Sequence, residues 1–265
     1  MPRKVVFIAD ADSWSGESLV TRFSQGDWDL ILNSAQDEQE WQDVIQFCRA
    51  AGAKVLITHV DLCSSRDLTT MLDQAEQLLG PIDVVIHNSS LIKPTRVESC
   101  MESEFVEIMQ RNTKSAFLCT QTFGRKMSAR RSGSFIFVSS IHNEKPTGSS
   151  FAYSASQGAL KMLAHEAALF LGRSGVRVNV IEMGPVEGSD TSFPSDISGL
   201  YNDYRYKIPG TRLGTANDLG DLAFFLAGEE SGYLNGADIR LDGGFILHYM
   251  DHRMNKPVEG ETRSQ

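Results

Sequence analysis

The chain has 265 residues, of which 41% are hydrophobic and 22% charged, with a formal net charge of −9 at pH 7. That balance can fill a sizeable core in one large domain or two small ones. Its acidic sign argues against general binding to nucleic acid or to an anionic membrane surface, since both are recognised through basic side chains. Four cysteines, Cys48, Cys63, Cys100 and Cys119, show no C-x-x-C spacing and no histidine nearby in a ligand pattern. Reduced thiols are therefore expected, with no disulfide and no metal site. The opening "MPRKVVFIAD" holds only the short apolar run VVFIA, less than the core of a signal peptide. No stretch approaches the roughly 20 apolar residues of a membrane span, and a cytoplasmic location is the expectation.

In chain order, short β-rich runs alternate with longer segments of helical period. Strands are expected at 4–8 (KVVFI), 29–33 (DLILN), 54–60 (KVLITHV), 83–87 (DVVIH), 134–139 (SFIFVS), 177–183 (RVNVIEM) and 237–241 (ADIRL). Most are continuously apolar, as strands covered on both faces must be. Between them the spacing predicts helices over about 17–25, 37–51, 65–79, 101–131, 151–173 and 216–227. Strand, helix and strand repeated in this way give right-handed crossovers and a doubly wound parallel α/β sheet. No repeat or low-complexity linker divides the chain, so residues 1–248 read as a single domain. Within it, 184–210 is rich in Gly, Pro, Ser and Asp and reads as a loop with short helices over the sheet's C-terminal edge. The polar segment 249–265 reads as a C-terminal tail.

In an open parallel sheet, ligands bind beyond the carboxyl ends of the strands, where the strand order switches. The turn after the first strand matters most, because the following helix presents free N–H groups to a pyrophosphate. Here that turn reads "ADADSWSGE" (9–17), and Gly16 is its one glycine.

Several motifs together resemble the short-chain dehydrogenase/reductase family over residues 4 to about 247. They are "DL" (61–62) after the third strand, "HNSS" (87–90) at the position of an Asn-Asn-Ala-Gly turn, and "RNTKSAFLCTQ" (111–121) with a helix asparagine. "GSFIFVSS" (133–140), "YSASQ" (153–157), "RVNVIEMGP" (177–185) and the stretch "TRLGTANDLGDLAFFLAGEESGYLNGADIRLDGG" (211–244) continue the match. The resemblance implies a Rossmann-like fold. It also implies an Asn-Ser-Tyr-Lys set that moves a hydride between NAD(P) and an alcohol or carbonyl. By position the asparagine is Asn112, the serine Ser140 and the tyrosine Tyr153; the lysine position holds Gln157. The family's cofactor positions fall on Asp10, Trp14, Gly16, Asp61 and Asn88.

The departures have physical consequences. A phenol titrates near 10, so it is a poor base at neutral pH unless a cation favours the phenolate. Replacing a cation at about 4 Å by a neutral amide removes on the order of 4 kcal/mol at an effective dielectric of 20, about a thousandfold in a base-dependent step. Lys161 lies two turns further along the same helix, and Lys145 sits in the loop "HNEKPTG"; neither is expected to substitute. In the phosphate turn, Asp10 and Trp14 replace glycines, and Asp12 adds a second carboxylate where a doubly negative pyrophosphate should lie. These acids could instead serve the helix's own N–H groups. "NSAQDE" (33–38) offers neither an acid for ribose hydroxyls nor an arginine for a 2′-phosphate. Met183 replaces a proline, and Gly188 a threonine, of the family's nicotinamide loop. Asn112, Ser139, Ser140, Tyr153, His87 and His142 also admit plain structural roles.

Three readings follow. The first expects no cofactor bound by this chain, NAD(P) being the cofactor if there is one. The chain is then a non-catalytic partner of a homologous active subunit in a tetramer. It resembles the inactive half of a two-subunit dehydrogenase acting on benzylsuccinate-derived CoA thioesters, with a CoA thioester or small carbonyl as substrate of the complex. The resemblance implies that the helices at 101–131 and 151–173 form the subunit interface. The second is a non-redox enzyme similar to halohydrin dehalogenases, for which Trp14 and Gly16 match an aromatic-x-Gly spacing. The third is a residual NAD(P)-dependent oxidoreductase.

Overall fold

The computed structural model describes residues 3–146, 148–187 and 208–247. The tail 249–265, Gly188 and most of the loop 184–210 therefore lie outside the described residues. Seven strands form one parallel sheet: β1 (Lys4–Ile8), β2 (Trp28–Asn33), β3 (Val55–Thr58), β4 (Val84–His87), β5 (Gly133–Ser140), β6 (Val176–Met183) and β7 (Asp238–Leu241). Their order is β3-β2-β1-β4-β5-β6-β7. Among the described residues the α-helices are α1 (Trp14–Ser24), α2 (Gln42–Ala50), α3 (Ser65–Leu79), α4 (Glu102–Met109), α5 (Ser115–Arg130), α6 (Phe151–Gly172) and α7 (Ala216–Ala227). The α/β fold is the one the alternating runs predict.

The continuous apolar character of the strands has its cause in the two-sided packing. Along β1, Val5 and Phe7 enter one core layer with residues of α3, α5 and α6. Val6 and Ile8 enter the other with residues of α1, α2 and α7. Side chains alternate across a strand, so an apolar residue is required at every position when both faces are covered. Helix starts follow side-chain caps: Ser13 accepts from Gly16 N–H, Ser64 from Asp67 N–H, and Thr215 and Asp218 form a capping box.

Several element boundaries differ from expectation. Strand β3 ends at Thr58 because the Asn33 side chain takes both the N–H and the carbonyl of Val60, at 2.8 and 3.2 Å. The segment expected to be helical from 37 begins as a 3-10 turn, Glu38–Trp41. The single helix expected over 101–131 is divided by a π-helical turn at Gln110–Lys114. At its centre buried Asn112 accepts from Leu91 N–H (2.6 Å) and donates to Leu91 O (2.9 Å) and to Ser156 Oγ (2.8 Å). A widened turn with an inward polar side chain is the usual form of such a bulge.

Candidate functional site

The strand order reverses direction between β1 and β4, which places the ligand crevice beyond their carboxyl ends. A cavity of about 380 Å³ lies there, with Ala9, Asp10, Asp12, Asp61, Ser89 and Arg111 among its lining residues.

Its phosphate end is occupied by the chain's own groups. Gly16 makes the close approach a glycine is needed for, since a Cβ there would stand 2.0 Å from Asp10 O. The N–H of Gly16 is taken by Ser13 Oγ at 3.1 Å. Asp10 Oδ1 accepts from Ser13 N–H at 3.2 Å. Burial first, then the neighbouring Asp12 carboxylate, pushes the Asp10 carboxyl above its ordinary range, against the pull of Arg111. Asn88 clamps the turn from β4: Oδ1 accepts from Asp10 N–H at 3.0 Å, and Nδ2 donates to Asp10 O at 2.7 Å. Trp14 opens α1 and packs, partly buried, on the α1–α2–α7 core layer. A pyrophosphate at this turn would meet the Asp10 carboxylate and a helix end whose Gly16 N–H is already capped by Ser13.

Asp12 corrects one expectation. Its carboxylate does not serve the start of α1; it reaches the end of β2, accepting from Ser34 Oγ and Ala35 N–H, each at 2.5 Å. An acid does therefore stand at the tip of the second strand, delivered from the first turn. Asp61 Oδ1 accepts from Cys63 N–H at 2.9 Å.

Tyr153 sits in the first turn of α6, buried beside the end of β5. Burial raises its phenol above 10, opposed by hydrogen bonds with the hydroxyls of Ser90 and Ser140. His142, in the 3-10 turn that follows β5, meets the Tyr153 ring edge-on, with centroids 5.6 Å apart and planes at 85°. Burial holds its imidazole below 6.5, and Nδ1 is buried with no hydrogen-bond partner among the described residues. Gln157 is buried, and its Oε1 accepts from Ser139 Oγ at 2.9 Å. The structure thus brings Ser140, Tyr153 and Gln157 to one end of β5 and α6. Asn112 braces the segment after β4 against α6, with its bonds given to Leu91 and Ser156.

No lysine substitutes for Gln157 among the described residues. Lys161 Nζ is held by Glu144 and Glu182, each at 2.8 Å, and by Asp238 at 3.2 Å. Burial opposes its charge, but the three carboxylates raise its pKa overall. Lys145 Nζ lies 4.8 Å from the Phe245 ring centroid. His87 is fully buried with Nε2 2.9 Å from Ser115 Oγ, and burial lowers it to about 4.

Sequence reasoning missed the roles of Ser90 and of Asp12 at β2. Ser90 had a signal, a hydroxyl where the family's turn ends in glycine. Asp12 had none, because its partners are a backbone N–H and a serine more than 20 residues away.

The fold and the crevice define a doubly wound α/β protein with a Rossmann-like parallel sheet. The family profile described as enoyl-(acyl carrier protein) reductase matches residues 14–246, and the chain belongs to the short-chain dehydrogenase/reductase family. It is 28% identical over 249 residues to the uncharacterized oxidoreductase YohF of Escherichia coli, covering 92% of this chain and 96% of that one. It is 28% identical over 246 residues to the mitochondrial borneol dehydrogenase of Lavandula x intermedia, covering 92% and 91%. Levodione reductase superposes with a TM-score of 0.85 at 23% identity, covering 94% of this chain and 100% of that one. At that identity the superposition speaks for the fold alone. Among the described residues no helix is long and apolar enough to cross a membrane.

Proposed function

We propose that this chain has lost hydride transfer of its own and acts as the supporting subunit of a homologous, active NAD(P)-dependent dehydrogenase. The substrate class of the pair is an alcohol, a small carbonyl compound or a CoA thioester. The reading is carried by the surroundings of Tyr153. Its hydrogen-bonding neighbours are two serine hydroxyls, and no cation acts on it among the described residues. A buried phenol without a cation stays protonated at neutral pH and cannot serve as the base of alcohol oxidation. The Asp10 carboxylate and the capped start of α1 in the phosphate turn support the same reading independently.

Support for a partner comes from the surface. Phe117 on α5, and Phe151, Met162, Leu169 and Phe170 on α6, are exposed large apolar side chains, on the helices that the family resemblance assigns to an interface. A tetramer of mixed subunits is the assembly this suggests.

One observation favours residual oxidoreductase activity as a second reading. The cavity between β1 and β4 persists, and relatives such as the 3-oxoacyl-[acyl-carrier-protein] reductase of Staphylococcus epidermidis bear reductase names. Calorimetric titration of the pure chain with NAD(H) and NADP(H), with a nicotinamide absorbance assay on ketones and acyl thioesters, separates the two. No binding heat and no turnover are expected. Tight nucleotide binding, or turnover by the chain alone, overturns the proposal.

A further inference from the structure

A second cavity, of about 400 Å³, lies between the segment after β4, the start of α4 and the residues just before α6, and shares no lining residue with the crevice between β1 and β4. Thr95, Arg96, Ser99, Cys100 and Glu104 are among its lining residues. Backbone bonds fix its walls. Thr95 N–H donates to Ser149 O at 2.8 Å, and Phe151 N–H to Thr95 O at 2.9 Å, so this segment is laced to the start of α6. Ser99 and Cys100 N–H both donate to Arg96 O, at 3.2 and 2.8 Å, which closes a turn. Met101 N–H donates to Glu104 Oε2 at 3.1 Å and anchors that carboxylate in the first turn of α4. The two charges of the cavity are not spent on each other. Arg96 is exposed, and its guanidinium has no hydrogen-bond or ion-pair partner among the described residues. Glu104 is half-buried, and its Oε1 has none either. An ion of one sign would be drawn to one of these groups and repelled by the other, with little net gain, whereas a molecule carrying both charges is drawn by both.

We propose that this cavity binds a small zwitterion of the α-amino acid class, with the ligand's carboxylate on Arg96 and its ammonium on Glu104. A guanidinium presents paired N–H donors that match a carboxylate, and the free Glu104 oxygen accepts from an ammonium N–H. Pro94 and the Cys100 thiol supply the uncharged part of the wall, against which an uncharged side chain lies. The volume falls near the lower end of the range of small-molecule sites, about 300–1,000 Å³, which suits a ligand of this size. No bond is made or broken. Neither a nucleotide nor a partner subunit enters the argument, so the site stands or falls apart from the supporting-subunit reading.

The Cys100 thiol, on the cavity wall, reports occupancy. Iodoacetamide alkylation of the full chain, read by peptide mass spectrometry, follows Cys100 and Cys63 separately, and Cys63, which lines the other cavity, is the internal control. L-Methionine and L-alanine should protect Cys100 saturably. At about ten times the half-saturating concentration its alkylation should slow about tenfold, because only the empty site reacts. Acetate and ethylammonium, each with one of the two charges, should protect far less. Arg96→Gln and Glu104→Gln should each raise the half-saturating concentration about tenfold, the loss of one hydrogen bond to a charged group. Circular dichroism checks that each variant is folded. No protection by either amino acid overturns the proposal, as does equal protection by acetate or ethylammonium, an unchanged half-saturation in a folded variant, or equal protection of Cys63. Should Glu104→Gln not fold, the Arg96→Gln comparison decides. Should Cys100 resist alkylation in the free chain, saturation-transfer NMR of L-methionine reads binding directly; no transfer, or equal transfer with Arg96→Gln, overturns the proposal.

Discussion

Gln157 occupies a position where a single change should reveal how much the missing charge matters. Its carbonyl is committed to Ser139, and Tyr153, one helical turn away, titrates above 10 because it is buried. Gln157→Lys would return a cation at about 4 Å, worth on the order of 4 kcal/mol at an effective dielectric of 20. The phenol should then ionise at least about one unit lower. Tyrosinate absorbance against pH, read as the difference from Tyr153→Phe, measures this; an unmoved titration would show that the lysine's charge is lost at this site. The same variant should still bind no NADH, because Asp10 and Asp12 remain. Nucleotide binding is expected only when Asp10→Gly and Asp12→Ser are added, as calorimetry would show. Gly16 illustrates the opposite sign. Glycine to alanine inside a helix ordinarily gains about 1 kcal/mol, but here the new methyl would stand 2.0 Å from Asp10 O. Gly16→Ala should therefore destabilise by about 1–3 kcal/mol, visible in urea denaturation.

Helix α6 is tied to the sheet through an ionic cluster as well as through apolar packing. Lys161 on α6 faces Glu182 on β6, Asp238 on β7 and Glu144 after β5, and Arg240 closes the group on Glu144 at 3.1 Å. Glu182 is completely buried, with Asn143 Nδ2 donating to it at 2.7 Å. Removing one partner of a buried pair leaves a charge uncompensated, which costs about 3–5 kcal/mol, whereas replacing both with apolar groups is often neutral. Lys161→Met should therefore lower the denaturation free energy by that amount, and Lys161→Met with Glu182→Leu should regain most of it. A single variant as stable as the wild type would show that water already screens the cluster. At this scale the limits of the sequence become physical. The strands were legible because two covered faces demand unbroken apolar runs, and α6 because its apolar period persists over 22 residues. The π turn at 110–114 was not, because Asn112 earns it through bonds to Leu91, whose position the chain sets only once folded. Nor could the fate of Lys161 be read, since its carboxylates come from β6, β7 and the turn after β5. Tyr153, Ser140 and Gln157 were legible through the resemblance to the family's motif, while the Ser90 contact and the reach of Asp12 depend on how separate turns meet.

For the whole molecule, the response of stability to pH has a definite origin in His87. This ring ends β4 inside the core, with its Nε2 against Ser115 and its Nδ1 buried without a partner among the described residues. Burial lowers its folded-state pKa from 6.5 to about 4. Above 6.5 the ring is neutral in both folded and unfolded chains and pH has no leverage through it. Between 6.5 and 4 the unfolded chain binds a proton that the folded chain refuses, so stability falls with pH throughout that window. The integrated loss is about 3 kcal/mol, from 1.36 kcal/mol per unit. Below 4 both states are protonated and the loss stops growing. The half-buried His142 acts in the same direction, whereas carboxylates with lowered values, Glu144 among them, lose their contribution only at lower pH. Comparing wild type with His87→Asn isolates the term. Urea denaturation at pH 7 and at pH 4.5 should show the wild type losing more stability than the variant, by about 2–3 kcal/mol. Equal losses in the two proteins would mean that the core admits the proton, through water reaching Nδ1 or a shift of β4. The same measurement bears on the site, because Asn88 and Ser90, which grip the phosphate turn and the phenol, follow His87 directly at the end of β4.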